Sequence, residues 1–382
     1  MPPRRLLSSA FLSLSLIVFS AAAEPPSLEL VTNASTVTLA FGTASTGSYR
    51  IERSPDLAEW LFDGQSIMTH EQRITLTYPL AEARGFWRVK AYDADSSFDP
   101  GRSPLAVASF EDQVWTDPSR SYDMAVRIYA PAPREGDGPF PLVLLSHGAG
   151  GNRSAFDSLS AYLASLGYLC VTLTHDDTRP SSRLERPADV SFAIDVILGA
   201  APPSPLLAGR VDAARVGMVG HSFGAFTTLA IMGSRFREAT LPGAPCVNLA
   251  DPRVRAGAPL SPQGPGILGL NEHSWESIAR PVFTLRGTLD TSVETPDPAT
   301  RDLPYQLMPP GGKYHAILEG ADHSDFSDNG IGKHGTTFSQ WYFPALAAFF
   351  DATLCNRPGA RDWLDSQALN RLSTGVLALQ GK

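Results

Sequence analysis

The segment Arg215-Val-Gly-Met-Val-Gly-His-Ser-Phe-Gly-Ala225 constrains this chain more than any other. A strand ends at Val219, Gly220-His221-Ser222-Phe223-Gly224 turns sharply, and a helix begins with apolar Phe226, Leu229 and Ala230. Glycines on either side let neighbours crowd the turn, while the serine between them is held in a strained, exposed conformation. Its hydroxyl then sits above a helix N-terminus, where backbone N–H groups favour developing negative charge. A bare G-x-S-x-G arises often by chance; between a strand and a helix it is specific. Ser222 is therefore the candidate nucleophile.

From about residue 108 the pattern is strands alternating with helices. Strands are expected at 122–130, 141–146, 168–174, 215–219, 254–260, 281–286 and 314–319. Helices are expected at 154–166, 187–198, 337–353 and, more weakly, 360–372. Strongly apolar strands in βαβ alternation imply a mainly parallel sheet covered on both faces.

The rest of a nucleophilic site can be sought at the ends of those strands. Leu145-Ser-His-Gly-Ala-Gly-Gly151 follows a buried strand, and its small residues let backbone donors approach a substrate carbonyl. The oxyanion hole is assigned to the N–H groups of Ala149 and Phe223, each such donor being worth roughly 3 kcal/mol. His147 is expected to brace that loop rather than act as the base. Asp290 stands just past the strand Val282-Phe-Thr-Leu-Arg-Gly-Thr-Leu-Asp290, with Glu294 and Asp297 as competitors for the acid. His323 follows the next strand; His315 lies within it and His334 beyond its loop. Asp322 and Asp325 flank His323 too closely to orient its far nitrogen. The proton bookkeeping is complete with Ser222, His323 and Asp290, so no metal or organic cofactor is required.

At these residues the chain resembles a known group. Ser146-His-Gly-Ala-Gly-Gly151, Leu163-Ala-Ser-Leu-Gly-Tyr168, Gly220-His-Ser-Phe-Gly224 and Ala321-Asp-His-Ser-Asp-Phe326 together look like the predicted dienelactone-hydrolase group. That group is related to platelet-activating-factor acetylhydrolases and bacterial polyester hydrolases. The resemblance spans about residues 115–350 and implies an α/β-hydrolase fold and carboxylic-ester hydrolysis. One departure is chemical: true dienelactone hydrolases use a cysteine where this chain has Ser222. The acetylhydrolase relatives also place their acid after an earlier strand, and Ala258-Pro-Leu-Ser-Pro262 holds none.

Some 20 residues separate the strand ending near Leu260 from the one at Pro281, too few for a large helical lid. An open groove is expected, with Trp275 a candidate for stacking on an aromatic acyl group. Such a groove suits short-chain esters, aryl esters such as phthalates, polyester chain ends and short-acyl phospholipids. His175-Asp176-Asp177 resembles a metal cluster at first sight, but adjacent loop acids are more often simply solvated.

The N-terminal part reads differently. Met1 to Arg5 carries two arginines and no acid, Leu6 to Ser20 is almost wholly apolar or small, and Ala21-Ala22-Ala23 follows. This reads as a signal peptide over residues 1–23 and a secreted or periplasmic product. Short alternating runs at 36–41, 48–52, 73–78 and 85–91 predict a small all-β sandwich over 24–105, which loosely resembles fibronectin-like modules. Asp95 to Pro104 is the expected linker, and 106–382 the catalytic domain. The net charge of −8 becomes −10 once Arg4 and Arg5 leave with the signal, which disfavours nucleic acid and anionic membranes as partners. The expected protein is a monomer, not inserted in a membrane, that takes an ester substrate. Its N-terminal module could hold a polymer surface, or the hydrolase part could be inactive and binding the whole function. Cysteines are Cys170, Cys246 and Cys355; if export brings a disulfide, Cys246–Cys355 is the expected pair.

Overall fold

The computed structural model describes six strands within residues 28–92. It also describes 98–382 apart from 102–104, 106, 108–109, 133–137, 180, 239–242, 329–337, 366–368, 371–372 and 374. The expected signal peptide, most of the expected linker and His334 lie outside the described residues. The chain divides into two compact units, residues 1–97 and 98–382.

In the first unit the strands are β1 (Leu28–Thr32), β2 (Thr36–Gly42), β3 (Gly47–Ser54), β4 (Leu61–Thr69), β5 (Arg73–Pro79) and β6 (Phe86–Tyr92). They form two three-stranded sheets, ordered β1-β2-β5 and β4-β3-β6, and every ladder is antiparallel. This is an all-β module. β4 had no forecast because Asp63, Gly64 and Ser66 break its alternation.

The second unit opens with β7 (Glu111–Asp117), β8 (Tyr122–Tyr129) and β9 (Phe140–Ser146). There follow α1 (Asp157–Ser165), β10 (Leu169–Leu173), α2 (Ser182–Leu198), β11 (Val211–His221) and α3 (Phe223–Met232). The short pair β12 (Arg235–Arg237) and β13 (Cys246–Asn248) leads to β14 (Val254–Leu260), β15 (Val282–Leu289), α4 (Leu303–Leu307) and β16 (Lys313–Asp322). The unit closes with α5 (Ser339–Thr353), α6 (Ala360–Asp365) and β17 (Leu377–Gly381).

Nine strands make one sheet in the order β17-β16-β15-β14-β11-β9-β10-β8-β7. From β10 to β16 all pairings are parallel, and β8, β7 and β17 are antiparallel additions at the edges. Side chains alternate between the faces, as strand geometry requires. Val143 and Leu145 join a core with Leu159, Leu163, Phe349 and Phe350 of α1 and α5. Leu142 and Leu144 join the opposite core with Val190, Ile194, Phe226 and Leu229 of α2 and α3. All seven residues of β9 are buried, and each leucine so placed contributes about 2 kcal/mol relative to exposure. Sequence order reverses between β9, β10 and β11, which opens a crevice beyond their carboxyl ends.

Three elements differ from expectation. α2 starts at Ser182, five residues before Pro187, because the proline sits in its second turn rather than opening it. The expected final helix is described as α6 (Ala360–Asp365), with helical residues again at 369–370, and beyond it β17, for which no strand was expected, pairs with β16. β7 escaped notice because it is a polar edge strand, with Val114 exposed and only Trp115 and Asp117 buried. Among the described residues, no helix is long and apolar enough to cross a membrane.

Candidate active site

Ser222 follows β11 directly and has φ 54° and ψ −115°, a conformation that non-glycine residues avoid. The strain persists because both flanking glycines are jammed. A Cβ on Gly220 would stand 2.0 Å from the Gly224 carbonyl oxygen, and one on Gly224 1.9 Å from the Ser146 carbonyl oxygen. α3 thus starts against β9, with Phe223 its first residue. The N–H groups of a helix's first turn have no carbonyl within the helix to pair with, so Phe223 presents a free donor direction beside Ser222.

The structure brings Ser222, His323 and Asp290 into one line. His323 Nε2 lies 3.0 Å from Ser222 Oγ, and His323 Nδ1 lies 2.7 Å from Asp290 Oδ1. These residues come from the ends of three strands, 101 and 33 positions apart in sequence. Glu294 and Asp297 are exposed, and Asp297 caps a turn by accepting from Ala299 N at 3.0 Å. His315 is buried inside the sheet between Thr284 and Asp302.

Asp290 is fully buried, which alone would raise its pKa. The hydrogen bond to His323, the Arg301 charge and the Ser261 hydroxyl outweigh burial and hold the carboxyl below its usual range. Ser261 Oγ donates to Asp290 Oδ2 at 2.5 Å, from just beyond the end of β14. Arg301 Nε lies 3.0 Å from Asp290 Oδ1, and its Nη1 donates to both Ser261 O and Pro262 O. Sequence reasoning passed over both residues; a serine at the end of β14, in place of an acid, was the available signal.

The backbone around His323 is pinned. Asp325 accepts from Asp322 N at 2.7 Å and Asp322 accepts from Ser324 N at 2.8 Å, so both flanking acids hold the turn and not the imidazole. His221 Nε2 donates to the His323 carbonyl at 2.8 Å, and the two rings lie 4.8 Å apart. Burial, aided by His323 next to it, pushes the His221 pKa down to about 3, so it stays neutral.

The loop after β9 is braced from below. His175 N donates to His147 Nε2 at 2.9 Å, which leaves His147 Nδ1 as the donor to Gly148 O at 2.6 Å. Burial, with His175 and Arg186 nearby, lowers the His147 pKa to about 3. A second serine–histidine–aspartate line, Ser146–His175–Asp189, has distances of 2.9 and 2.7 Å. It is closed to substrate, with Ser146 fully buried, so it supports the loop and does no chemistry. Asp177 pairs with Arg186, and Asp176 accepts from Thr178. Ala149 is exposed at the loop's tip, and Gly148 abuts the elbow: a Cβ there would lie 3.5 Å from Ser222 Cβ.

Two expectations are corrected. Trp275 is fully buried among Phe226, Phe236 and Ile278, so it fills the core beneath α3 and meets no substrate. Cys246 and Cys355 do not pair. All three thiols are free, Cys246 exposed on β13 and Cys355 next to the Tyr168 hydroxyl at 3.7 Å.

The arrangement suits acyl transfer: an imidazole at 3.0 Å can take the serine proton, and a buried carboxylate can stabilise the imidazolium that forms. Residues 142–313 match the alpha/beta hydrolase family model. A bis(hydroxyethyl) terephthalate hydrolase of Streptomyces coelicolor is 26% identical over 226 residues, 59% of this chain and 61% of that protein. Cutinase 1 of Thermobifida cellulosilytica is 26% identical over 248 residues, covering 63% and 82%. The solved structure of a ferulic acid esterase from Streptomyces cinnamoneus superposes with a TM-score of 0.52 at 21% identity, covering 73% of this chain and 97% of that one. The strand order, the strained elbow and the match over residues 142–313 show that the second unit has the α/β-hydrolase fold.

Proposed function

We propose that this chain is an exported serine esterase that cleaves carboxylic esters through an acyl-enzyme on Ser222. The observation that carries the reading is the line Ser222 Oγ–His323 Nε2–Asp290, at 3.0 and 2.7 Å, built on a strained elbow. Ser222 Oγ attacks the ester carbonyl while His323 takes its proton. The N–H groups of Ala149 and Phe223 receive the tetrahedral oxyanion. The C–O bond then breaks and the alcohol leaves with the proton from His323. Water deprotonated by His323 splits the acyl-enzyme, which frees the acid and restores Ser222.

Aryl and polyester substrates are favoured over phospholipids by the relatives, whose names record terephthalate ester and cutin hydrolysis. Leu289 and Val293 bracket Asp290 and are 59% and 97% exposed, an apolar rim suited to an aromatic or polymeric acyl chain. Export rests on the apolar leader and Ala21-Ala22-Ala23.

Hydrolysis of p-nitrophenyl esters from two to twelve carbons, by wild type and Ser222→Ala, tests the reading. Turnover of short esters that falls at least 1,000-fold in the variant is expected. Turnover that survives the substitution removes Ser222 from the mechanism.

A further inference from the structure

Arg186 has no part in the scheme above, yet it is fully buried in α2. Its guanidinium makes contacts that converge on the loop after β9. Nη1 donates to His147 O at 2.7 Å and Nη2 to Gly148 O at 3.2 Å. Nε and Nη2 also grip both oxygens of Asp177, each at 2.7 Å. Asp177 Oδ2 in turn accepts from Gly150 N at 2.7 Å. The same guanidinium lies over the Phe223 ring, 4.2 Å from its centroid.

We propose that the Arg186–Asp177 pair is the positioning device of the oxyanion hole, aiming the Ala149 N–H and steadying Phe223 at once. The inference rests on the esterase reading above and adds residues that the reading leaves idle. The planarity of the peptide group couples the two ends of the Gly148–Ala149 bond. In a trans peptide the carbonyl and the following N–H point in opposite directions. Gly148 O is held by Arg186 Nη2, by His147 Nδ1 at 2.6 Å and by Gly151 N at 3.1 Å. Fixing that oxygen on the α2 side turns the Ala149 N–H to the other side of the peptide. Gly150 N is drawn to Asp177 instead, so it is no competitor for the oxyanion.

Arginine suits this post and lysine does not. The fork must satisfy two carbonyls and a bidentate carboxylate while its face covers an aromatic ring, which a three-donor ammonium cannot do. Burial opposes the Asp177 charge, but the bonds from Arg186 and Gly150 hold its carboxyl below the usual range, so the pair stays ionised. The tolerance at the substrate is narrow, since donors must lie roughly 2.7–3.1 Å from the oxyanion.

The test compares wild type with Arg186→Lys and Asp177→Asn, using p-nitrophenyl acetate and an alkyl trifluoromethyl ketone. Ser222 adds to that ketone to form a hemiketal oxyanion in the same hole. Rates are normalised to active sites titrated with a fluorophosphonate, so unfolded enzyme does not count. For Arg186→Lys we expect kcat to fall about 100-fold with KM nearly unchanged, and ketone affinity to fall by a similar factor. Asp177→Asn, a milder isostere, is expected to lose about 10-fold in both and keeps the test open should the lysine variant fail to fold. A folded variant of either kind with kcat per site and ketone affinity within twofold of wild type overturns the proposal. An inactive wild type, or a Ser222→Ala variant that keeps full activity, overturns the esterase reading instead.

Discussion

Gly224→Ala is the substitution whose outcome the structure specifies most closely. The added Cβ would stand 1.9 Å from Ser146 O, 2.6 Å from the Ser146 carbonyl carbon and 2.8 Å from His147 O. All three are backbone atoms, at the end of β9 and the start of the loop that follows it, so no side chain can swing aside. Relief to an ordinary contact of 3.4 Å needs a shift of about 1.5 Å between α3 and β9. That shift moves Ser222 and Phe223 away from the loop bearing Ala149. A misplacement of about 1 Å costs on the order of 100-fold in rate. Forcing apart two packed elements costs about 3 kcal/mol. We therefore expect kcat on p-nitrophenyl acetate to fall at least 100-fold and the urea midpoint to drop by about 1 M or more. Gly209→Ala is the control, with φ +69° and nothing within 4 Å of the added carbon. It should cost about 1 kcal/mol of backbone strain and leave kcat unchanged. Wild-type kcat and midpoint for Gly224→Ala would refute the close approach and the strain argument built on it.

Other substitutions bear on separate parts of the site. Asp290→Asn should lower kcat about 10,000-fold at unchanged KM, because the neutral amide favours the wrong His323 tautomer; steady-state kinetics check this, and a loss below 10-fold would move the acid elsewhere. Asp302 is opposed by burial, yet His315 and Arg286 hold its carboxyl at about 2 against an ordinary 3.8. Its folded pKa is the lower one, so its contribution of about 2 kcal/mol is complete above pH 4 and is lost as pH falls towards 2. Asp302→Asn should thus be destabilised at pH 7, with the gap to wild type narrowing by pH 3 in urea unfolding curves; a gap independent of pH would contradict this.

Much of this protein was legible residue by residue. The apolar runs of β9, β10, β11 and β14, the small loop after β9, the elbow at Ser222 and the order serine, aspartate, histidine are all local signals. Each needs only a few neighbouring residues to be read, because strand alternation, helix periodicity and glycine's conformational freedom act over short stretches. Asp290 and His323 could be placed at strand ends for the same reason. What the local pattern could not supply were the partners reached across the sheet. Ser261 bonds to Asp290, Arg301 sits behind it, and His221 holds the His323 carbonyl across 102 positions. Arg186 offered a faint sign, a charge on the helix face that also carries Val190, Ala193, Ile194 and Ile197. Trp275 and the Cys246–Cys355 pair misled because side-chain type says what a residue can do and not where the chain puts it. Burial, pairing and exposure depend on which distant segments pack together, and that is decided only when the whole core closes.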